Sequence, residues 1–372
     1  MPEQTAQPRR IPKLQPQTGA IILDNGDVML RLAARENADV AAQVGNDAEN
    51  AVTLKMEFDE NTRIYSAILP AGTMSGPQKI IFSVDGVPTL NLAAPMWYYA
   101  NQLANYVELP DAETDALIEA RRDIEHGSIT QEFFWSDAFG EFVTVPVYTP
   151  PKFDRNAEYP VLYLFHEVSE NKTAWTGAPR LNFVLDNLIA DGKCVPFIVV
   201  ELDSTVRLDY KDHADWFENY GPIERFTTAD CPKFIESKYG VSTSKWKRAI
   251  GGIGLGAIQA AYIGLRNTDI FGSIGVFTAF WPSVRFHSEG KDDPFYTALK
   301  RLGENPDELD VFFRAEGMLD PHFKFISFEN DLLSELKIDK LPGYVFKTYN
   351  QTHNWGSYRR AMRDMAPLLF RK

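Results

Sequence analysis

Three glycines spaced two residues apart mark the part of this sequence whose pattern could carry chemistry. Gly252, Gly254 and Gly256 follow an apolar segment that ends at Ile253, and small residues of helical character come after them. A strand, a tight turn and a helix in this order are typical of a nucleophile elbow, G-x-S-x-G, whose middle serine is exposed on a strained turn. Such a serine forms an acyl ester once a histidine removes its proton. Here the middle residue is Gly254, which has no nucleophilic atom.

The same glycines could instead hold a dinucleotide. A dinucleotide-binding turn needs the pattern G-x-G-x-x-G and an acidic residue about 20 residues further on. The spacing in this sequence is G-x-G-x-G, and Asp269 precedes the next predicted strand rather than closing it. The pattern therefore favours the elbow, and no cofactor is expected.

The elements that must position this elbow alternate between strands and helices from Gly127 onward. Such alternation predicts a mostly parallel sheet that helices cover on both faces. An antiparallel pair is predicted at the start of this region, at Gly127–Trp135 and Glu141–Tyr148. The later predicted strands are Tyr159–Phe165, Phe197–Val200, Lys247–Ile253, Gly272–Phe277, Leu309–Arg314 and Tyr344–Lys347. The predicted helices are Leu181–Ala190, Thr227–Tyr239 and Gly256–Leu265.

The first third of the chain has a different pattern. Residues 1–17 are polar and rich in Pro and Gln, and they are predicted to form a disordered tail. Residues 18–110 contain short strands and turn signals, including a hairpin between Thr53–Phe58 and Arg63–Leu69, which predicts a small β-sandwich. Residues 111–126 are charged and helix-prone, so they are predicted to connect the sandwich to an α/β domain at 127–372.

Composition and charge exclude several classes of protein. The net charge of −13 disfavours binding to nucleic acid or to anionic membranes, and no apolar run approaches the ~20 residues that span a bilayer. The two cysteines, Cys194 and Cys231, lack the spacing of a metal site, so no metal is expected. No signal peptide is visible at the amino terminus, which leaves a cytoplasmic location and a secreted form with the signal removed both open. The oligomeric state also stays open.

Several segments together resemble carbohydrate esterase family one, the feruloyl and acetyl-xylan esterases, and more loosely the enterochelin esterase and esterase D relatives. The segments are the strand Tyr159–His166, the helix Leu181–Ala190, the elbow Ala249–Gly256 and the ending Thr352-His353-Asn354-Trp355. The resemblance covers about residues 19–372. It implies an α/β-hydrolase domain preceded by an immunoglobulin-like E-set sandwich, and a small-molecule or glycan ester as the ligand.

The resemblance also assigns roles to individual residues. It implies that His353 is the general base, that Asp320 orients it, and that Gly254 stands at the nucleophile position, with Glu316 as an alternative acid. The oxyanion region would consist of Glu167, Val168 and Leu255. The substrate pocket would be lined by His166, Trp175, Trp281 and Trp355.

Two departures from the family pattern change the expected activity. Gly254 replaces the serine, and Glu167 stands where the family has glycine, so that a carboxylate lies near the place where an oxyanion would form. We therefore expect an esterase-family protein that is inactive or severely impaired as a serine esterase. Three explanations remain: natural loss that leaves a ligand- or partner-binding pseudoenzyme, an engineered knock-out, or a water- or lyase-type reaction that uses His353 and Asp320. The paired departures favour natural loss, because a knock-out would change one residue.

Overall fold

The computed structural model of the chain describes residues 19–46, 50–99, 102–168, 170–205, 221–278 and 294–372. The chain forms two compact units. One extends to Trp97 and includes Leu103–Pro110, and the other contains Tyr98–Gln102 and Asp111–Lys372. The segment predicted as a connector, residues 111–126, belongs to the second unit and contains one short helix, α1 (Asp115–Ile118).

The first unit is built from antiparallel strands around one apolar core. The strands are β1 (Ala20–Ile22), β2 (Val28–Leu32), β3 (Val40–Val44), β4 (Val52–Lys55), β5 (Glu57–Asp59), β6 (Ile64–Leu69), β7 (Gly76–Val84), β8 (Val87–Thr89), β9 (Met96–Tyr99) and β10 (Gln102–Leu109). One sheet has the order β1-β2-β6-β5 and the other β4-β3-β7-β10-β9, with β8 paired to β7. Alternate residues of β2 and β3 are buried, as expected for strands with one face on a core.

The predicted hairpin between Thr53–Phe58 and Arg63–Leu69 is only partly correct. The structure divides Thr53–Phe58 between β4, which pairs with β3, and β5, which pairs with β6 in the other sheet. Met56 lies at the change of sheet, where its side chain is buried and its N–H donates to the Val40 carbonyl. Burial of Met56 between the two sheets is a tertiary interaction, which strand periodicity does not report.

The second unit contains an eight-stranded sheet with the order β11-β12-β14-β13-β15-β16-β17-β18. Its strands are β11 (Ser128–Ser136), β12 (Glu141–Thr149), β13 (Val161–Phe165), β14 (Ile198–Leu202), β15 (Arg248–Ile253), β16 (Ser273–Phe277), β17 (Val311–Gly317) and β18 (Tyr344–Tyr349). Strand β12 is antiparallel to its neighbours β11 and β14, and the pairings from β14 through β18 are parallel. The parallel strands β13, β14, β16 and β17 are buried at every residue, as expected for a sheet covered on both faces.

Helices connect these strands. They are α2 (Leu181–Ala190), α3 (Gly221–Arg225), α4 (Cys231–Tyr239), α5 (Leu255–Arg266), α6 (Pro294–Glu304), α7 (Ile326–Glu335) and α8 (Trp355–Met365). The helix predicted at Thr227–Tyr239 is interrupted, because residues 226–230 form a π-helical turn before α4. Helix α4 ends where Gly240 takes the left-handed conformation (φ 64°), which a glycine adopts without strain. None of the described helices is both long and apolar enough to cross a bilayer.

The sheet brings three loops to one edge. Strands β13, β15 and β17 run parallel, so the loops that follow Phe165, Ile253 and Gly317 leave from their carboxyl ends. Ligands of open α/β sheets bind at this edge. The three loops carry Glu167, Gly254 and Asp320.

Candidate active site

The turn between β15 and α5 has the backbone of an elbow. Gly254 lies at φ 50° and ψ −116°, a conformation that is strained for residues with a side chain. A Cβ on Gly252 would overlap the backbone of Gly256, and a Cβ on Gly256 would overlap the His166 carbonyl oxygen. The flanking glycines are therefore required by the close approach of strand, helix and neighbouring loop.

The Glu167 carboxylate binds the two backbone N–H groups that the sequence predicts as oxyanion donors. Glu167 Oε1 accepts hydrogen bonds from the backbone N–H of Val168 (2.5 Å) and of Leu255 (3.1 Å). These two N–H groups converge from the loop after β13 and from the first turn of α5, as donors to an oxyanion do in this type of elbow. The residues predicted as the oxyanion region are thus brought together, and their donors point at the protein's own carboxylate.

The second carboxylate oxygen of Glu167 contacts the predicted base. His353 Nε2 lies 3.0 Å from Glu167 Oε2, and His353 Nδ1 lies 2.7 Å from Asp320 Oδ2. Asp320 also accepts a hydrogen bond from the His322 backbone N–H, at 2.8 Å. Glu167, His353 and Asp320 therefore form one continuous relay. It has the connectivity of a serine triad with a carboxylate in place of the hydroxyl.

The two carboxylates determine the charge of the histidine between them. Burial alone would lower the pKa of His353, but hydrogen bonds and charge from Asp320 and Glu167 outweigh this effect and raise that pKa to about 10. Burial would raise the pKa of Asp320, yet hydrogen bonds from His322 and His353 hold it below its ordinary value. At neutral pH His353 is therefore protonated.

A third carboxyl group, that of Glu170, lies next to the relay. Glu170 is buried, and its Oε1 accepts a hydrogen bond from Trp355 Nε1 at 3.0 Å. Burial, followed by the charge of Glu167, raises the pKa of Glu170 well above its usual range. Burial therefore favours the neutral carboxylic acid form of Glu170. Nothing in the sequence pattern singled it out.

The predicted pocket tryptophans are interior side chains where the structure describes them. Trp175 and Trp355 are each 1% exposed, and their rings meet edge to face at 5.4 Å. Trp175 Nε1 donates to the Phe165 carbonyl at 3.0 Å, which supports the end of β13. Both buried indole rings thus stabilise the loops of the site from the protein interior. Trp281 lies outside the described residues.

His166 is buried as well, with 1% exposure. Its ring nitrogens contact Asp203 Oδ1 at 3.2 Å and Ser204 Oγ at 2.9 Å, and Ser204 Oγ donates to the His166 carbonyl. Gln259 of α5 donates to the Ser204 carbonyl at 2.8 Å. His166 therefore joins the loops after β13 and β14 and does not reach a ligand on an open surface.

The structure also explains the alternative acid Glu316 and a group of possible metal ligands. Glu316, the alternative acid, is buried on β17, and no hydrogen bond to His353 is present within the described part of the chain. Asp320, His322 and His353 each offer a metal-ligating atom, and these atoms lie within 4.8 Å of one another. Hydrogen bonds to Asp320 already use His353 Nδ1, while His322 Nδ1 lies 3.0 Å from Asp320 Oδ1. Both histidines of this group therefore pair with the Asp320 carboxylate.

Comparisons with known proteins identify the family to which the chain belongs. The family model Esterase, described as "Putative esterase", matches residues 136–369. The chain is 29% identical over 278 residues to an endo-1,4-beta-xylanase/feruloyl esterase of Xylanibacter ruminicola, and the match covers 67% of this chain and 36% of that protein. It is 24% identical over 252 residues to endo-1,4-beta-xylanase Y of Acetivibrio thermocellus, with 60% and 21% covered. The matched part is thus about a third or less of these curated relatives.

Solved structures share the fold. A feruloyl esterase module from Clostridium thermocellum, complexed with sinapinate, superposes with a TM-score of 0.56 at 20% identity, over 69% of this chain and 92% of that one. The enterobactin esterase from Shigella flexneri superposes with a TM-score of 0.63 at 13% identity, over 92% of both chains. The family model spans more than half of the sequence, and the chain therefore belongs to the Esterase family, resembles the feruloyl esterases and has the α/β-hydrolase fold.

Proposed function

We propose that this Esterase-family protein does not hydrolyse carboxylic esters through a serine ester. In this proposal its cleft retains the ability to bind a small carboxylic ester or acid of the feruloyl or acetyl-xylan type. The observation that supports the loss of turnover is the position of the Glu167 carboxylate. One carboxylate oxygen accepts hydrogen bonds from both candidate oxyanion donors, the N–H groups of Val168 and Leu255. The other oxygen accepts a hydrogen bond from His353.

Two requirements of acyl transfer are unmet at this site. Gly254 supplies no hydroxyl group, and a substrate carbonyl oxygen would have to displace a carboxylate from the N–H groups of Val168 and Leu255. Negative charge already at that place opposes the charge that develops in the transition state. Loss of a catalytic serine alone typically lowers kcat by ~10⁶-fold.

The ligand class comes from the relatives. The Clostridium thermocellum module was crystallised with sinapinate, and a ferulic acid esterase from Anaeromyces mucronatus with ferulic acid. Both ligands are aromatic acids, and both proteins share this chain's fold. We extend that ligand class to this chain as part of the proposal.

The test compares four proteins on p-nitrophenyl acetate, methyl ferulate and acetylated xylan. The present chain is expected to stay at the uncatalysed rate. Gly254→Ser is expected to stay there too, because a side chain at position 254 would overlap the Glu167 carboxylate, which leaves no room for a correctly placed hydroxyl group. The double variant Gly254→Ser with Glu167→Gly is expected to hydrolyse at least one ester. Adding His353→Ala to the double variant should abolish that activity.

Binding is measured separately, by calorimetry of methyl ferulate with the present chain. We expect measurable binding without turnover. Hydrolysis by the present chain that His353→Ala removes would contradict the proposal. Absence of binding to methyl ferulate would contradict the binding part of the proposal.

A further inference from the structure

We propose that the chain forms a two-fold symmetric dimer through strand β11, which pairs with the same strand of a second copy. In this dimer each copy covers the exposed aromatic side chains that the other carries on β11 and β12. The inference goes beyond the proposed function, because the surface lies at one edge of the eight-stranded sheet and contains none of the site residues.

Strand β11 is a terminal strand of the sheet, so one of its sides is open to a further strand. It is nine residues long, pairs with β12 in an uninterrupted register, and has no other strand partner in the described part of the chain. Proteins usually protect such an edge with a lysine, a proline or a β-bulge. The sequence of β11, Ser-Ile-Thr-Gln-Glu-Phe-Phe-Trp-Ser, contains neither lysine nor proline, and its pairing with β12 has no bulge.

The opposite edge of the same sheet has the protection that β11 lacks. Strand β18 is only six residues long and carries an exposed lysine, Lys347. None of the large apolar side chains that are exposed on the described residues lies on β18, whereas Ile129, Phe133 and Trp135 lie on β11. The difference between the two edges indicates that β11 is built to be covered.

Three aromatic side chains stand on the outer face of β11 and β12. Phe133, Trp135 and Phe142 are 62%, 52% and 59% exposed. Phe133 and Trp135 share a face with Ile129, because alternate residues of a strand point to the same side, and Phe134 between them is buried. We call the three rings the aromatic ridge. A contiguous apolar patch of this kind marks an interaction surface.

The way the rings pack favours a protein partner over a glycan. The rings of Phe133 and Phe142 are stacked, with centroids 4.8 Å apart and planes 11° apart. Trp135 meets Phe142 edge to face, at 5.4 Å. Sugar rings bind aromatic side chains whose faces are open and lie side by side, whereas here the rings cover parts of each other's faces. The aromatic ridge is thus suited to packing between other side chains, as aromatic residues do at protein interfaces.

The charge of the strand indicates that the partner is a second copy. The exposed residues of β11 are all uncharged, although the chain has a net charge of −13. The one charged residue of the strand, Glu132, is buried and hydrogen-bonded to Lys238 and Tyr239. Two copies of this acidic protein can therefore meet along β11 without bringing like charges together on the strand.

Strand β11 can pair with itself. Two antiparallel copies of one strand are related by a two-fold axis, so that every contact occurs twice. A register centred on Phe134 places Phe133 of each copy opposite Trp135 of the other, on the exposed face. Cross-strand aromatic pairs of this kind stabilise antiparallel sheets. The eight-stranded sheets of the two copies would then be continuous.

The available area is that of a reversible dimer. Because an aromatic side chain buries about 150–250 Å² in full, the exposed parts of the aromatic ridge amount to roughly 350 Å² per copy. Pairing of two nine-residue strands adds their outer backbone edges and the neighbouring side chains. A specific interface needs at least about 600 Å² per partner, and areas near this lower limit give weak complexes. We therefore expect a dissociation constant in the micromolar range.

Sedimentation equilibrium of the full chain tests the proposal, at concentrations from about 1 to 200 µM that span the expected constant. We expect monomer at the lowest concentration and dimer at the highest. The double variant Phe133→Lys with Trp135→Lys should stay monomeric, because charged side chains at an edge oppose strand pairing. Leu92→Lys is the matched control, since it changes an exposed leucine of the first unit, and it should dimerise like the unmodified chain. Circular dichroism verifies that each variant is folded.

Hydrogen exchange shows whether the dimer uses β11. Backbone N–H groups on the outer side of β11 gain acceptors when two copies pair. Exchange in peptides from residues 128–136 should therefore slow as the protein concentration rises. Peptides from residues 344–349, which form the other edge of the sheet, should exchange at the same rate at all concentrations.

The proposal is overturned if the unmodified chain is still monomeric at the highest concentration, or if the double lysine variant dimerises equally well. A dimer that leaves exchange in β11 unchanged would also overturn it, because another surface would then form the contact. A third contrary result is a monomer that soluble arabinoxylan retards in a native gel when the double variant is not retarded, which would assign the aromatic ridge to a glycan. The ester assays use the candidate active site, so their outcome and that of these experiments are independent.

Discussion

The carboxylate of Glu167 lies where the side chain of residue 254 would begin. A Cβ built on Gly254 would overlap Glu167 Oε2, and the same oxygen is 3.0 Å from His353 Nε2. The two departures from the serine-esterase pattern are therefore one structural feature. A side chain at position 254 and this placement of Glu167 exclude each other.

A first prediction concerns the stability of variants at this contact. Gly254→Ala is expected to destabilise the protein by about 2–4 kcal/mol, because it strains a left-handed φ and displaces a carboxylate that accepts two backbone N–H groups. In a Glu167→Gly background the cost should fall by about 1–2 kcal/mol, since the overlap is gone. Urea unfolding of the four proteins measures both values. Equal costs in the two backgrounds would show that the contact is absent.

A second prediction concerns the charge of His353. The imidazole should stay protonated up to about pH 10 in the present chain, and Glu167→Gln should lower its pKa because one of the two carboxylates is lost. A folded-state pKa above the unfolded value stabilises the native state at low pH. This contribution is complete below about pH 6.5 and is lost as the pH rises through about 10.

Proton NMR of the histidine rings during a pH titration checks this prediction. His126 is the internal control, because its pKa is raised by a hydrogen bond to Asp186 and not by Glu167. Its titration should be the same in both proteins. An unchanged His353 titration in Glu167→Gln would contradict the relay.

A third prediction uses the buried carboxyl group of Glu170. Glu170→Gln should change stability by less than about 1 kcal/mol near pH 4, because the amide oxygen can still accept from Trp355 Nε1. Glu170→Ala should cost about 1–3 kcal/mol, since it leaves that buried N–H without its acceptor.

The stability that Glu170 contributes should change with pH in a defined direction. The pKa of Glu170 is raised by burial, so its stabilising effect holds at low pH and is lost as the pH rises. Glu170→Gln should therefore gain stability relative to the unmodified chain above about pH 4.5. Thermal unfolding between pH 4 and pH 8 measures the difference. A constant difference across this range would mean that Glu170 is charged in the folded protein.

A fourth prediction concerns the ion pair below the site. Arg314 of β17 and Glu329 of α7 are both buried, and Arg314 Nη2 donates to Glu329 Oε2 at 2.5 Å. Arg314→Met should cost about 3–5 kcal/mol because it leaves a buried carboxylate unpaired, and adding Glu329→Leu should recover much of that loss. Chemical unfolding provides the measurement.

The matched control for this pair lies nearer the surface. Arg266 pairs with Glu224 at 3.3 Å and its side chain is 35% exposed, so Arg266→Met should cost less than about 1 kcal/mol. Similar costs for the two arginine variants would contradict the role of burial.

Much of the second unit follows from local sequence pattern. The predicted helix Leu181–Ala190 is confirmed as α2, and the strand, turn and helix around Gly254 are confirmed as β15 and α5. These elements are readable because their apolar spacing and glycine positions act over a few residues. The hairpin predicted between Thr53–Phe58 and Arg63–Leu69 was only partly correct, because the chain changes sheets at Met56, which packing between strands distant in sequence decides.

The candidate site was also only partly predictable from the sequence. Sequence alone predicted Gly254, Glu167, Asp320 and His353 as site residues, with Glu167 as a carboxylate near an oxyanion position. It did not show that this carboxylate contacts both the Leu255 N–H group and His353. Nor did it show that Glu170 is buried and accepts a hydrogen bond from Trp355. Those relations join atoms that are 88, 186 and 185 residues apart in the chain. Side-chain chemistry and local periodicity are properties of the sequence, whereas distances across parallel strands exist only once the sheet has formed.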